Sequence, residues 1–291
     1  MGYTAASSLL IETSDAPAGA SSIAGGLTDD CVLVPLLSRS KPAVTDQLRV
    51  AASLSRSSDA RLYVVDPTSE TPIAYGPNLS RDAERELIAR AVRSTIRAGQ
   101  PGFRRTRTLL NGILTAIETT DIEALVVPNG SDTGFLRQNL VERLALRGAC
   151  DIVTVNGQRS YDDARSILLA VTGGPHSGPA ADVTRGIAAD TDAWVDILHV
   201  VPPHATDRRR ERATECVETI YDRIGRPERT TTWVLEARSP ADALVEQSEY
   251  YGLTVLGAPT QGRLREFIAG STSRTVRHGA ESAVVSVRAN R

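Results

Sequence analysis

The residues best suited to chemistry in this sequence form one glycine-rich segment near its end. Gly257 comes directly after an apolar run, Gly262 lies in the loop that follows, and Gly270, Ser271 and Thr272 open the last helical stretch. Glycines let backbone N–H groups approach an anion, a Ser or Thr hydroxyl adds a donor, and a helix N-terminus carries partial positive charge. The segment therefore predicts a cradle for phosphate groups.

The elements that must position this segment are predicted by apolar runs that alternate with amphipathic stretches. In the second half of the chain the predicted strands are Ser166–Val171, Val195–Val201, Thr231–Leu235, Leu253–Leu256 and Ala283–Val287. The predicted helices between them are Pro179–Ala189, Asp207–Ile224, Pro240–Tyr250 and Thr272–His278, with Ser239 as the N-cap of the third. Short runs rich in Val, Ile and Leu suit strands covered on both faces. Alternating strands and helices predict an α/β fold with a doubly wound parallel sheet.

The same order of elements occurs twice along the chain. Val32–Pro35 aligns with Ile167–Ala170, and Leu62–Val65 then falls on Ile197–Val200 without a gap. We therefore predict two tandem domains of one fold. The predicted boundaries are a flexible leader at 1–29, a first domain at 30–156 and a second domain at 164–291, with a polar linker over Asn156–Asp163.

Composition excludes several classes of function. The chain has 291 residues with 33 Lys and Arg against 35 Asp and Glu, so no basic region indicates binding to nucleic acid or to anionic lipid. The early apolar run Cys31–Leu37 is far shorter than the roughly 20 residues that span a membrane. The three cysteines and four histidines show no metal-ligand spacing. We expect no metal site, no membrane insertion and a cytoplasmic location.

The spacing within the glycine-rich segment resembles that of the universal stress protein family in its tandem form. The family's ATP-binding branch carries Gly, two residues, Gly, nine residues, Gly and then Ser or Thr. Here Gly257, Gly270 and Ser271 keep the spacing, and Thr260 holds the second glycine position with Gly262 two residues later. The resemblance implies two Rossmann-like domains of the adenine nucleotide alpha hydrolase-like kind. It also implies a stress-response or regulatory role without efficient catalysis.

The resemblance also carries over particular binding residues. The triphosphate of ATP would be held by Gly257, Gly270, Ser271 and Thr272. The backbone of Val200 would face adenine, and Thr172 stands at the ribose position, where the ATP binders have Asp. Arg263 and Arg265 could add contacts to phosphate. ATP, with Mg²⁺, is therefore one expected ligand. The alternative is that Gly270 and Ser271 only form the turn and the N-cap of the last helix.

The first repeat lacks the features that point to a nucleotide. It has Asn129-Gly130 but no Gly-Ser pair before a final helix, since Gln138 and Asn139 occupy those positions. Leu37 replaces the polar Thr172. We predict that this repeat binds no nucleotide and keeps the fold for packing against its neighbour.

The resemblance implies first that the two repeats are partners of each other. We expect the repeats to form an intramolecular pair through Asp151–Val155 and Ala283–Val287, the edge that forms the dimer in single-domain relatives. A homo-oligomer and binding to an unidentified protein are further alternatives. The rival functions are an interaction module without a nucleotide and a domain that regulates a transporter.

A third rival is an ATP-using enzyme of the pyrophosphatase type. The loop Thr172–Ser177 is similar to the Ser-Gly-Gly-x-Asp-Ser loop of those enzymes, with His176 in the Asp position. No general base or pair of acids stands at a strand end, so we expect no catalytic residues and no enzyme.

Three weaker signals have structural rather than functional interpretations. The charge run Arg208–Arg212 is expected to be the solvated start of a helix. His199 lies inside an apolar strand and is expected to be a core or ligand-wall residue. Cys216 lies beside apolar helical positions and is expected to be a core thiol.

Overall fold

A computed structural model describes most of the chain after its first segment. The described residues are 27–28, 30–38, 40–66, 72–97, 103–128, 150–156, 164–258 and 271–289, with the backbone alone at 96–97, 103–110 and 271–274. The leader residues 1–26, the linker residues 157–163 and the first repeat's 129–149 lie outside these ranges. Thr260, Gly262, Arg263, Arg265 and Gly270 also lie outside the described residues.

Helices and strands alternate in both halves of the described chain. The first half contains β1 Cys31–Pro35, α1 Lys41–Ser58, β2 Arg61–Val65, β3 Ile73–Tyr75, α2 Arg81–Arg97, α3 Phe103–Thr119, β4 Ile122–Pro128 and β5 Asp151–Asn156. The second half contains β6 Ser166–Ala170, α4 Ser177–Thr191, β7 Trp194–Val201, α5 Asp207–Ile224, β8 Thr230–Glu236, α6 Pro240–Ser248, β9 Leu253–Gly257, α7 Ser271–Gly279 and β10 Ala283–Arg288.

The predicted elements of the second half agree with these bounds to within about two residues. Helix α5 has the predicted ends, and the Ser239 hydroxyl caps α6 by accepting from the N–H of Asp242. Helix α4 begins at Ser177 rather than at Pro179, because proline is tolerated in the first turn of a helix and does not mark its first residue. Asn156 is the last residue of β5, so the predicted linker begins one residue too early.

All ten strands of the described chain form one sheet, in the order β3-β2-β1-β4-β5-β10-β9-β6-β7-β8. Outward from the β5–β10 junction, the first half runs β5-β4-β1-β2-β3 and the second runs β10-β9-β6-β7-β8. The two halves therefore have equivalent strand orders. The pairs are parallel except β2 with β3 and β5 with β10. Residues 66–72 are too few for the crossover that a parallel pair needs, which is why β3 runs antiparallel. The predicted doubly wound fold is confirmed.

The two halves are joined where β5 pairs with β10. Val155 lies opposite Val285 and Val153 opposite Val287, and the Thr154 hydroxyl adds a hydrogen bond of 3.3 Å to the carbonyl of Ser286. On one face of the sheet a single apolar core runs through both halves, beneath α1, α2, α4 and α5. The opposite face carries two smaller cores, one beneath α3 and one beneath α6 and α7. Joining the two sheets therefore also joins their cores.

Helices α1 and α4 pack against each other across this junction. A Cβ atom at Gly186 would lie 2.6 Å from the Ser57 Oγ atom, so the absence of a side chain permits the close approach. Beside this contact Arg56 binds Asp190 with two hydrogen bonds of 2.7 Å, Nε to Oδ1 and Nη2 to Oδ2. Arg81 and Glu84 complete a charge cluster that links the two halves.

Within the described parts of the chain no helix has the length and apolar character needed to cross a membrane.

The Asp190–Arg56 pair should contribute measurably to stability. The two side chains are only 8% and 15% exposed, so Asp190→Ala leaves a largely buried guanidinium whose remaining acidic partner, among the described side chains, is Glu84. We expect the free energy of unfolding at neutral pH to fall by about 2–3 kcal/mol. Asp182→Ala on the same helix is the control, because its exposed pair with Arg223 should be worth about 1 kcal/mol or less. Urea denaturation of both variants measures the difference.

The same pair sets a pH dependence with a definite sign. Burial by itself raises the pKa of Asp190, but hydrogen bonds from Arg56 and Ser53 and the nearby positive charges outweigh it, and the pKa lies below its ordinary value of 3.8. The stabilisation is therefore complete above pH 3.8 and is lost as the pH falls from there through the lowered pKa. An Asp190→Ala variant that lost as much stability as the wild type over that acid range would contradict this assignment.

Candidate functional site

The carboxyl edge of β6 and β9 is the switch point of the second half. The two strands pair in parallel up to Ala170 and Leu256. Helix α4, which follows β6, covers one face of the sheet, and α7, which follows β9, covers the other. The two helices that follow these strands therefore lie on opposite faces of the sheet, and the point between the two strand ends is where open α/β sheets bind ligands. Thr172 and Gly257 both lie at this edge, as the sequence predicts.

Gly257 has a steric reason to be glycine. A Cβ atom built there would lie 3.0 Å from the carbonyl oxygen of His176 and 3.3 Å from the backbone nitrogen of Ser177. Both are backbone atoms and cannot move aside as a flexible side chain can. The end of β9 therefore touches the start of α4 directly, whether or not an anion approaches the same backbone.

His176 connects that turn to the end of the sheet. Its Nδ1 atom accepts a hydrogen bond of 3.2 Å from the backbone N–H of Ala289, just beyond β10. At the N-cap of α4 its side chain makes no capping hydrogen bond. His176 holds the Asp position of the loop that resembles the pyrophosphatase loop. Its side chain there makes a structural contact, the hydrogen bond from Ala289.

In the first half the matching crevice is bridged by a side chain of the protein. The pairing of β1 with β4 ends at Leu33 and Leu125. Beyond it the fully buried Gln47 amide donates hydrogen bonds of 3.0 Å to the carbonyl of Pro35 and 2.8 Å to that of Val126. Leu37 is also buried, whereas Thr172 in the second half is exposed. The buried amide and leucine distinguish the described parts of the two switch points.

A cavity of about 910 Å³ lies between α4 and α5, at the carboxyl end of β7. Its floor is formed by the turn that follows β6, in which Gly173 has the left-handed φ of +75° that glycine tolerates. Its wall includes His199 from β7 and Arg208, Arg209, Arg212 and Cys216 from α5.

The structure divides the predicted site residues between two places. Thr172 lies on the rim of the cavity, but Val200 and Gly257 do not line it. The side chain of Val200 packs on the opposite face, with the core beneath α6 and α7. Ser271 begins α7, with Thr272 in its first turn, and the other predicted phosphate contacts lie outside the described residues.

Sequence reasoning missed the arginines of this cavity. The run Arg208–Arg212 does begin a helix and is exposed, as expected, but three of its arginines also line the cavity. Cys216, expected to be a core thiol, is only half-buried and lies on the same wall. The spacing 209, 212, 216 and 220 on one helical face was the available signal.

The steric position of Gly257 can be tested by adding one methyl group. Gly257→Ala should lower the free energy of unfolding by about 1–3 kcal/mol, because backbone must shift to relieve the contact with His176. Gly76→Ala is the control, since a Cβ atom there meets no other atom within 4 Å. Thermal and urea unfolding of both variants checks the result. Equal stability of the two would contradict the close approach.

His176 should make folding sensitive to mild acid. Burial of the ring, together with the charge of Arg288, holds its pKa below the ordinary value of 6.5 despite the opposing effect of Asp151. As the pH falls below 6.5 the unfolded chain takes up a proton first, so stability decreases until the folded-state pKa is passed. In His176→Gln this decrease should be smaller when urea unfolding is followed in steps from about pH 8 to about pH 5.

Two further histidines complete that experiment. Burial and Arg209 also lower the pKa of His199, so part of the decrease should remain in His176→Gln. His278→Gln, at an exposed histidine, is the matched control for the substitution itself. A wild-type profile in His176→Gln would show that the Nδ1 contact is not maintained.

One family model matches the second half of the chain. Residues 164–288 match the sequence model of the Universal stress protein family. A solved universal stress protein from Archaeoglobus fulgidus DSM 4304 is 13% identical over 89% of this chain and 96% of that one, with a TM-score of 0.47. Another from Archaeoglobus fulgidus, in complex with dAMP, is 18% identical over 42% of this chain and 97% of that one, with a TM-score of 0.37.

A universal stress protein in complex with cAMP is 20% identical over 42% of this chain and 95% of that one, with a TM-score of 0.36. No curated protein matches the chain. The family match covers the whole run from β6 to β10, which includes the second switch point and the cavity. Residues 164–288 therefore form a universal stress protein domain.

Proposed function

We propose that the second half of the chain binds an adenine nucleotide, ATP first among them, at the carboxyl edge of β6 and β9. In this proposal the protein is a cytoplasmic stress-response or regulatory protein that acts by binding rather than by efficient catalysis. The observation that carries the proposal is the switch point of the second half, where Thr172 is exposed and, among the described side chains, no buried amide bridges the strands as Gln47 does in the first half.

Helix α7 supports the proposed position of the phosphates. It follows the glycine-rich segment on the same edge of the sheet and has no acidic residue in its first turn. The N–H groups at the start of a helix, and its partial positive charge, favour an anion there. The spacing from Gly257 to Gly270-Ser271 supports a triphosphate at this end.

Mg²⁺ would enter with ATP. Among the described side chains no group of three or more His, Cys, Asp or Glu is placed to hold a metal ion. Mg²⁺ retains several waters and is commonly bound through substrate phosphates. The protein's part in this proposal is to hold the phosphates by backbone N–H groups and hydroxyls.

The second candidate function is an interaction or transporter-regulating module that binds no nucleotide. The contact of Gly257 with the backbone of His176 favours it, because that contact accounts for this glycine without any ligand. Thr172 and Thr260 stand where the ATP binders have Asp and Gly, which favours it as well.

Calorimetry and thermal shift with ATP–Mg²⁺ test the proposal on the full chain. The full chain is needed because an isolated second half would expose the edge of β10 that β5 covers. We expect binding by the wild type and at least a tenfold loss of affinity in Gly270→Val, whose side chain would obstruct close approach of the anion. Gly76→Ala, where added atoms meet open space, should bind as the wild type does.

The outcomes separate the rival functions. No heat and no thermal shift at millimolar ATP would exclude the nucleotide and favour the interaction module. Binding that Gly270→Val leaves unchanged would mean that the phosphates lie elsewhere. Steady release of pyrophosphate with an acceptor substrate would instead favour an enzyme.

A further inference from the structure

We infer that the cavity between α4 and α5 is a second binding site, which takes a phosphorylated small molecule through the arginines of α5. Its position, its charge and an unpaired polar atom in its wall carry this inference. It does not depend on whether the proposed nucleotide binds at α7.

The cavity and the proposed phosphate cradle lie on opposite faces of the sheet. Along β7 the side chains alternate, so that Ile197 packs into the core beneath α4 and α5, whereas Leu198 and Val200 pack beneath α6 and α7. His199 lines the cavity and therefore belongs to the α4 and α5 face. A ligand in the cavity would be separated from the start of α7 by the sheet itself.

Of the four arginines that line the cavity, three have no acidic partner among the described residues. Arg210, one residue away on the same helix, pairs with Glu236, and Arg223 at the far end of the cavity pairs with Asp182. The side chains of Arg208, Arg209 and Arg212 form no ion pair or hydrogen bond with any described residue. They concentrate uncompensated positive charge at the mouth of the cavity.

Few opposing charges face these arginines. Of the residues that line the cavity, Glu215 alone is acidic among those described. The first turn of α4, which includes Ser177 and Gly178 on the opposite wall, carries no acidic residue. The partial positive charge of that helix end therefore adds to the arginine charge.

His199 provides an unpaired polar atom in the same wall. Its Nδ1 atom is shielded from water and has no hydrogen-bond partner among the described residues. Burial and the charge of Arg209 lower its pKa, which keeps the ring neutral near pH 7. A buried polar atom without a partner costs free energy, so a polar ligand group against this wall would be favoured.

These features together define the class of ligand. Guanidinium groups bind phosphate oxygens with two parallel hydrogen bonds, and three of them suit a group with more than one phosphate. The volume of about 910 Å³ lies within the range of roughly 300–1,000 Å³ that small-molecule sites occupy. The inferred ligand is a small molecule with a pyrophosphate group at the arginines and a polar body towards His199.

Cys216 is a built-in reporter for this site. It lines the cavity and is half-buried, whereas Cys31 and Cys150 are 0% and 2% exposed. Burial raises the pKa of its thiol, so labelling should be slow but measurable at mildly alkaline pH. We expect millimolar inorganic pyrophosphate or ATP to slow N-ethylmaleimide labelling of Cys216 in the full chain several-fold.

Matched arginine variants locate the effect. In Arg209→Ala/Arg212→Ala the concentration of probe that gives half protection should rise at least tenfold, because two charged donors are lost. Arg210→Ala removes a charge from the same helix outside the cavity and should behave as the wild type. All these side chains are exposed, and circular dichroism and thermal unfolding check that the fold is retained.

Each result bears on the inference. Protection by pyrophosphate means that the phosphate group suffices. Protection by ATP alone supports a nucleotide in the cavity where Gly270→Val retains it and overturns the inference where Gly270→Val abolishes it, because Thr172 lies both on the cavity rim and at the proposed ribose position. No protection by either probe, or protection that the double variant leaves unchanged, overturns the inference. Gly270→Val should keep the protection, so a loss of ATP binding at α7 and a loss of binding in the cavity are told apart.

Discussion

The antiparallel pairing of β5 with β10 is the contact on which the rest of the structure depends. Each half ends in a strand that would otherwise present unpaired N–H and C=O groups at a sheet edge, which is a template for aggregation. Pairing the two ends removes both edges at once and makes one sheet of the ten described strands. A single core then runs under four helices from both halves.

The helix contact and the charge cluster follow from that pairing. Once the sheets are continuous, α1 and α4 lie side by side, and Gly186 allows them to approach as far as Ser57. Arg56 and Asp190, which lie far apart in sequence, become a largely buried ion pair. Neither half would have this neighbour alone, so part of the stability of each half belongs to the pair.

Similar folds in the two halves do not produce similar sites. The switch point of a doubly wound sheet is open by topology, because successive helices leave on opposite faces. In the first half the amide of Gln47 spans the opening between Pro35 and Val126. In the second half the corresponding helix carries Asp182, which pairs with Arg223 instead. Among the described side chains, the buried amide of Gln47 therefore distinguishes the first switch point from the second.

Local pattern was sufficient to predict much of this protein. Apolar runs and helical periodicity determined the strands and helices of the second half, and the repeat of their order determined that the first half shares the fold. The position of Thr172 and Gly257 at one edge followed as well, because carboxyl ends of neighbouring parallel strands meet there.

Tertiary structure alone decided which helices each residue of β7 faces. Val200 packs beneath α6 and α7, whereas His199 faces α4 and α5. It also decided that Arg208, Arg209 and Arg212 enclose a cavity while Arg210 pairs with Glu236, since a charge run in sequence does not show which of its members face a neighbouring element.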